Sequence, residues 1–176
     1  MNYSTTTVRA PDSPREPTPL TVTSASYRDG AKIPMEQVLT GCGGKNVSPQ
    51  LSWDEFPRAT RGFAVTMFDP DAPTGSGYWH WVLFNIPGSV TQLDAGAGTT
   101  ASPGGGTNGY TDYGQSAYGG PCPPKGDGDH RYIITVYALD VPRIENAGPG
   151  TTGATLNFLM RGHVLATGQL SGHFGM

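Results

Sequence analysis

The sequence predicts a globular, loop-rich fold built mainly from β-strands, and three observations support that prediction. Glycine (26) and proline (16) account for about a quarter of the 176 residues, so turns and loops must be frequent. Three apolar segments, at 62–69, 80–87 and 130–140, are rich in β-branched and aromatic residues and are bounded by turn-forming residues. A single segment, 151–170, places its apolar residues at helical spacing. The predicted fold class is therefore mainly β, a β-rich α+β domain with long Gly/Pro-rich loops.

Length and charge exclude several classes of protein. A chain of 18.5 kDa is large enough for one domain with a substantial core. A net charge of −3 leaves no basic patch for a nucleic-acid backbone and gives little attraction to an anionic membrane. No apolar segment reaches the roughly 18 residues of a membrane span, and residues 1–19 lack the apolar core of a secretory signal. We therefore expect a cytoplasmic protein with no nucleic-acid partner, no integral membrane association and no cofactor.

The chain divides into a short arm and one domain. Residues 1–18 are rich in Ser, Thr and Pro, which predicts a flexible N-terminal arm. Residues 19–176 show no internal repeat and no further boundary, so they are expected to form a single domain. The first strand is predicted at 20–27, where the residues alternate and are β-rich. A Gly-rich loop over 41–53 then leads into a short strand that ends on Trp53.

The central part of the chain predicts a hairpin, a long loop and a buried strand. Segments 62–69 and 80–87 are joined by a loop containing PTGSG, which favours an antiparallel hairpin. In segment 130–140 the even-numbered and the odd-numbered residues are both largely apolar. The strand should therefore lie in the centre of the sheet with both faces buried. Between the predicted hairpin and this strand, residues 93–125 are Gly-rich, and their apolar residues follow no sustained period. Loops of that length in compact domains are usually functional or disordered, and the tyrosines of this one favour a functional loop.

The segment TTGATLNFLMRGHVLATGQL (151–170) predicts the one helix. A threonine can cap its start and Gly168 can end it. Its apolar side chains fall at helical spacing: Leu156, Leu159, Met160 and Val164.

Polar residues at the ends of these strands are the candidates for chemistry. Asp69 ends one strand of the hairpin and His80 begins the other, so we expect these two side chains to be in contact. Asp71 and His130 stand at neighbouring strand ends. A carboxylate beside a histidine favours the imidazolium and raises the histidine pKa, which would suit binding to an anion. Three alternatives remain open: Asp carboxylates that only cap a turn, a metal site, and a catalytic cluster.

The segment YGGPCPPKGDGDHRY (118–132) favours an anion site among these alternatives. Exposed N–H groups in a Gly/Pro-rich turn form anion-binding concavities. His130 and Tyr132 are two residues apart and therefore share one face of their strand. Arg131 should point to the opposite face and pair with a carboxylate elsewhere.

These motifs carry a family resemblance. DPDAP (69–73), His80 before an apolar strand, and PPKGDGDHRY (123–132) together resemble the phosphatidylethanolamine-binding, or Raf kinase inhibitor-like, family. NVSPQLSW (46–53) and the C-terminal helix resemble its bacterial branch, and the likeness runs from about residue 20 to the end. The resemblance implies a large antiparallel sheet packed on a smaller sheet, with a few helices.

The resemblance also implies a small pocket at one rim of the sheet for phosphate-like anions, including phospholipid head groups. The N–H of Cys122 would be a backbone donor to the anion, and Asp69 could accept from a ligand's ammonium group. Asp71 is expected to brace the loop, and Tyr78 to stand at the rim. The ligand-binding residues that the resemblance implies are Asp69, His80, Cys122, Pro123, Pro124, His130 and Tyr132.

The function predicted on this basis is a ligand-binding module for phosphate-bearing head groups. One alternative is a phosphoester hydrolase that uses the Asp/His cluster, with or without a metal. Another is a regulator that inhibits a kinase or a protease, as some relatives do. Free thiols are the default for Cys42 and Cys122 in the cytoplasm, with a disulfide as the alternative. The oligomeric state stays open.

Overall fold

The computed structural model describes residues 16–176, which form ten strands and one α-helix. The helix α1 spans Gly153–Leu159, and three single turns of 3-10 helix lie at Thr40–Cys42, Ala97–Thr99 and Pro103–Gly105. The strands are β1 (Thr18–Pro19), β2 (Thr21–Thr23), β3 (Ala31–Lys32), β4 (Leu51–Asp54), β5 (Gly62–Asp69), β6 (Tyr78–Pro87), β7 (Gln92–Leu93), β8 (Thr107–Asn108), β9 (His130–Leu139) and β10 (Val164–Phe174).

The strands form a large sheet packed on a smaller one, as expected. The large sheet has the order β1-β10-β9-β5-β6-β8, and β3 also pairs with β10. Its four long strands, β10, β9, β5 and β6, pair antiparallel, and the two-residue strands β1 and β3 run parallel to β10. The small antiparallel sheet has the order β2-β4-β7. The predicted fold class is confirmed, including the β5–β6 hairpin and the central position of β9.

Apolar side chains cover both faces of the large sheet, which explains its uninterrupted apolar runs. On one face Phe63 and Trp81 belong to the main core, together with Trp53 of the small sheet. On the other face a smaller cluster packs Val82 of β6 against Leu156 of α1. Strands β5 and β9 are therefore buried on both sides. In the described residues no helix is long and apolar enough to cross a membrane.

The predicted C-terminal helix is correct at its start and wrong in its second half. Thr152 caps α1, because its side-chain oxygen accepts the N–H of Thr155. The chain then turns at Gly162, whose φ is +83°, and residues 164–174 form β10 instead of helix. Gly168 does not end a helix. It lies in β10 where a Cβ would come within 2.3 Å of the Leu20 carbonyl oxygen, so glycine lets the neighbouring chain approach closely.

The N-terminal predictions are partly outside the described residues. Residues 1–15 of the predicted arm lie outside them. Thr18–Pro19, at the end of that arm, pair in parallel with β10. The predicted strand 20–27 is shorter in the structure, at Thr21–Thr23. It stops there because the Ser24 hydroxyl and the Ala25 N–H bond to Gln50 in place of a strand neighbour.

Candidate functional site

Three strand ends meet at one rim of the large sheet and enclose a cavity of about 250 Å³. Asp69 ends β5, Tyr78 begins β6 and His130 begins β9, and β5 is the common neighbour of the other two strands. Twelve of the described residues line the cavity: Asp69, Ala72, Pro73, Thr74, Tyr78, His80, Tyr113, Cys122, Pro123, Pro124, His130 and Tyr132.

All seven residues predicted for ligand binding lie in this lining, as does Tyr78. Sequence reasoning missed Ala72, Pro73 and Thr74, although the first two belong to the DPDAP motif that pointed to the site. It also missed Tyr113, which the long Gly-rich loop brings to the cavity. The loop's tyrosines indicated that it packs on something, but nothing local in the sequence indicated where.

Asp69 hydrogen-bonds to His130. No hydrogen bond joins it to His80 within residues 16–176, although both side chains line the cavity. Asp69 Oδ2 accepts from His130 Nδ1 at 2.8 Å, and both side chains are almost fully buried. Strand register explains the difference, because β6 places Tyr78, two residues before His80, opposite Asp69. Asp69 Oδ1 accepts the N–H of Asp71 at 2.8 Å. Both carboxylate oxygens are therefore already engaged within the protein.

His80 is a buried histidine whose pKa shifts in the opposite direction to the one expected. Burial lowers the pKa of His80 below 6.5, and this effect outweighs the Gly119 carbonyl and the Asp69 charge, which favour the protonated ring. The ring lies among Tyr78, Tyr113 and Tyr132, with centroids 5.1–5.3 Å away. His80 Nδ1 donates to the Gly119 carbonyl at 2.8 Å. At neutral pH His80 is therefore an uncharged ring.

Tyr132 supplies a hydroxyl with no partner in the described residues. Its side chain is fully buried, yet its oxygen makes no hydrogen bond within residues 16–176. The other two tyrosines of the cavity differ, since Tyr78 donates to the Asp112 carbonyl and Tyr113 to the Gly120 carbonyl. Burial also raises the pKa of Tyr132 far above its ordinary value, so the hydroxyl keeps its proton. An O–H donor is thus held ready in the cavity wall.

A disulfide fixes the wall that carries Cys122, Pro123 and Pro124. Cys42 and Cys122 are bonded, with Cα atoms 5.6 Å apart, so the default of free thiols is wrong. Disulfides persist mainly in oxidising compartments, which does not favour the cytoplasmic location expected from the sequence. The backbone N–H of Cys122 finds no acceptor within the described part of the chain. It is therefore a second donor without a partner beside the cavity.

Hydrogen bonds hold the chain before Cys122 in place. Gly119 N–H donates to the His80 carbonyl at 2.9 Å, and Leu39 N–H donates to the Pro121 carbonyl at 3.1 Å. Asn46 Oδ1 accepts the N–H of Gly120 at 2.8 Å. The wall is therefore preorganised by backbone contacts as well as by the disulfide.

Asp71 and Arg131 brace the rim from outside the cavity. Asp71 Oδ1 accepts from Arg131 Nη2 at 2.7 Å, and Oδ2 accepts from both Nε and the backbone N–H of Arg131 at 2.9 Å. These bonds lower the pKa of Asp71 to about 2. Arg131 thus points away from His130 and Tyr132 and pairs with a carboxylate elsewhere, as the strand alternation predicts. The two residues tie the DPDAP turn to β9.

Among residues 16–176 no lysine or arginine lines the cavity, which is unusual for an anion site. The side-chain nitrogens that face the cavity belong to His80 and His130. His130 Nε2 has the Asp127 Oδ2 atom 3.6 Å away, so a carboxylate lies beside each of its nitrogens. Within residues 16–176 no group of three or more His, Cys, Asp and Glu side chains is arranged to hold a metal ion.

A β-rich, two-sheet protein with a preformed pocket at the sheet rim belongs to the class of ligand-binding domains. Comparison with known proteins identifies the family. The sequence model of the phosphatidylethanolamine-binding protein family matches residues 23–175. The chain therefore belongs to the phosphatidylethanolamine-binding protein family.

Bacterial relatives are similar to this chain over nearly its whole length. The UPF0098 protein YbhB of Escherichia coli is 45% identical over 155 residues, which cover 86% of this chain and 97% of the relative. The crystal structure of E. coli YbcL, described as a member of the mammalian PEBP family, has a TM-score of 0.85 at 39% identity. That match covers 89% of this chain and 98% of YbcL.

A third relative supports the same fold. The PEBP homologue CT736 of Chlamydia trachomatis matches with a TM-score of 0.76 at 31% identity. The match covers 90% of this chain and 99% of that protein. The family resemblance noted from the motifs is confirmed.

Proposed function

We propose that this protein is a binding module whose rim cavity holds a phosphate-type anion, such as the phosphate of a phosphatidylethanolamine head group. The observation that carries the proposal is the Tyr132 hydroxyl, which is buried in the cavity wall without a partner. Burying a hydroxyl without a hydrogen bond costs about 1–3 kcal/mol. A ligand oxygen in the cavity would remove that cost.

The other polar groups of the cavity fit the same ligand. The Cys122 N–H is a second donor without a partner in the described residues. The rings of His80 and His130 are held through Nδ1. The Nε2 atom of neutral His80 is an acceptor, and that of His130 lies 3.6 Å from Asp127 Oδ2. A tetrahedral phosphoryl group offers several oxygens at once and can engage donors on different walls. The proline walls and Tyr78 suit the apolar atoms next to the phosphate.

Asp69 has a supporting role in this proposal. Because its two oxygens accept from His130 and from the Asp71 N–H, it orients the His130 ring. The proposal therefore assigns ligand contacts to His80, His130, Tyr132 and the Cys122 N–H, with Pro123 and Pro124 as walls.

Titration calorimetry on chelator-treated protein tests the proposal, with inorganic phosphate and phosphoethanolamine as the probes. We expect saturable binding of both, and we expect Tyr132→Phe to weaken it by about 1.5–3 kcal/mol, the value of a hydrogen bond to a charged group. The matched control is Tyr137→Phe, on the same strand but packed in the smaller cluster on the other face of the sheet, which should bind like the native protein. No heat with either probe would refute the proposal.

The other predicted functions stay predictions. Metal-assisted phosphoester hydrolysis needs a set of metal ligands, and the described residues offer no cluster of three. Inhibition of a kinase or a protease would need a surface for a partner protein. Binding of an anion is the function that the cavity supports best.

A further inference from the structure

The further inference concerns the protonation state of the ligand, and it rests on the proposed anion site. His80 Nδ1 is fixed as a donor by the Gly119 carbonyl 2.8 Å away. A neutral imidazole with its proton on Nδ1 has a lone pair on Nε2, which accepts hydrogen bonds and cannot donate them. His80 Nε2 can therefore only accept a hydrogen bond from a ligand in the cavity.

The groups around His80 maintain this state. Three tyrosine rings pack against it, and the carboxylates near it, Asp69 and Asp112, are outweighed by burial. His130, the remaining titratable group of the lining, bonds to Asp69 through its own Nδ1. No lysine or arginine lines the cavity among residues 16–176. A dianionic phosphate, which has only acceptors, would direct an oxygen at the His80 lone pair.

We propose that the cavity binds a phosphoryl group carrying one proton, so that a P–OH donates to His80 Nε2 while other oxygens accept from Tyr132 and the Cys122 N–H. A phosphate monoester supplies that proton itself, as its monoanion. A phosphodiester has no P–OH, so the proton must come from solvent onto His80, which then donates to the diester oxygen. In both cases the bound state contains one proton that neutral His80 and the dianionic monoester, or neutral His80 and the diester, do not carry.

Proton balance makes the inference measurable. The bound complex holds one proton more than its free components. These components are neutral His80 and either the dianionic monoester or the diester. Affinity for either ligand must therefore fall as pH rises above neutrality, by up to about tenfold per pH unit. Below about pH 6 a free monoester already carries its proton, because its second pKa is near 6. Its affinity should then level off.

Calorimetry in two buffers with different heats of ionisation measures the proton directly. The probes are phosphoethanolamine, a monoester, and glycerophosphoethanolamine, a diester with the same amine. At pH 7.5 we expect each to bind with uptake of about one proton. At pH 5.5 the uptake with phosphoethanolamine should fall well below one, because the free monoester already carries its proton.

The variant His80→Gln isolates the group responsible. Its amide does not titrate and can present an N–H in place of Nε2, so the diester should bind without proton uptake at pH 7.5. The control His163→Gln, at the opposite rim, should keep the native uptake. Binding of both probes to the native protein without proton uptake would overturn this inference alone. No heat with either probe would instead refute the anion site itself.

Discussion

The two rims of the large sheet each carry a His–Asp pair and a cavity, but their surroundings differ. At the rim with the proposed anion site, the ligand rim, His130 bonds to Asp69 at 2.8 Å. These two side chains are only 4% and 3% exposed. At the opposite rim His163 bonds to Asp140 at the same 2.8 Å, with side chains 44% and 42% exposed. The two pairs therefore have equal distances but unequal interaction energies, because water screens the exposed pair and not the buried one.

The cavities differ in the same way. The one at the opposite rim is larger, about 800 Å³, and its charged groups, such as Arg143 and Glu145, are exposed to solvent. Its Asn85 Oδ1 already accepts the N–H of Ile144. The ligand cavity is smaller but contains the buried Tyr132 hydroxyl without a partner. The buried hydroxyl without a partner, and not the volume, distinguishes the smaller cavity from the larger one.

The largest expected effect is loss of the buried pair. Asp69→Ala leaves His130 Nδ1 and the Asp71 N–H without their acceptor, and breaking a buried pair from one side costs about 3–5 kcal/mol. Urea unfolding followed by circular dichroism measures it. The matched variant Asp140→Ala should lose only about 0–1 kcal/mol because its pair is exposed. Equal losses would show that burial does not distinguish the rims.

Removing the disulfide should have the next largest effect. The bond between Cys42 and Cys122 spans a sequence separation of 80 residues at the ligand rim. The double variant Cys42→Ser/Cys122→Ser should unfold at lower urea, with a loss of about 2–4 kcal/mol. Because hydrogen bonds also hold this wall, the variant should stay folded at 25 °C. A midpoint identical to that of the oxidised native protein would contradict this expectation.

Much of the fold could be predicted because its strongest signals are local. Strand 62–69 was predicted with the bounds that the structure has, since burial on both faces leaves an apolar run between turn residues. The predicted helix, in contrast, extends past Leu159 into the start of β10, because Val164 falls at helical spacing after Leu156 and Met160. Pairing with β9 makes residues 164–174 a strand, and one segment cannot reveal its partner.

The site was predictable as a set of residues but not as a set of contacts. The DPDAP and PPKGDGDHRY motifs located the lining. The bond between Asp69 and His130, however, depends on strand register, and the position of Tyr113 depends on a long loop. The low pKa of His80 follows from its burial. Of the three tyrosines around it, Tyr78 is on the same strand and the other two are distant in sequence. Such features arise only from tertiary packing.

A smaller effect should come from the Tyr132 hydroxyl itself. Since this buried group has no partner within the described residues, Tyr132→Phe should leave the free energy of unfolding unchanged or raise it by up to about 1 kcal/mol. The same substitution should weaken anion binding, so stability and binding move in opposite directions. Thermal unfolding without ligand measures the first change. A marked loss of stability would mean that the hydroxyl has a partner.

The smallest effect should come from the exposed brace between Asp71 and Arg131. Asp71 has a pKa lowered from 3.8 to about 2 by Arg131, so its contribution is present above pH 3.8 and is lost as pH falls through 2. Exposure limits it to less than about 1 kcal/mol. The difference in unfolding free energy between the native protein and Asp71→Asn should therefore be small at pH 6 and vanish near pH 2. A difference that grew on acidification would contradict the assignment.

The position of the two cysteines in the chain also affects how the protein is made. A ribosome adding about 5–20 residues per second needs about 4–16 s to pass from Cys42 to Cys122, so the first thiol waits unpaired for that time. The residues that hold the bridged wall, from Leu39 to Pro121, are all synthesised before β9 and β10. The nascent chain therefore contains the bridged wall at Cys122–Pro124 before it contains His130 and Tyr132 of β9, and an oxidant that acts early would fix that wall first.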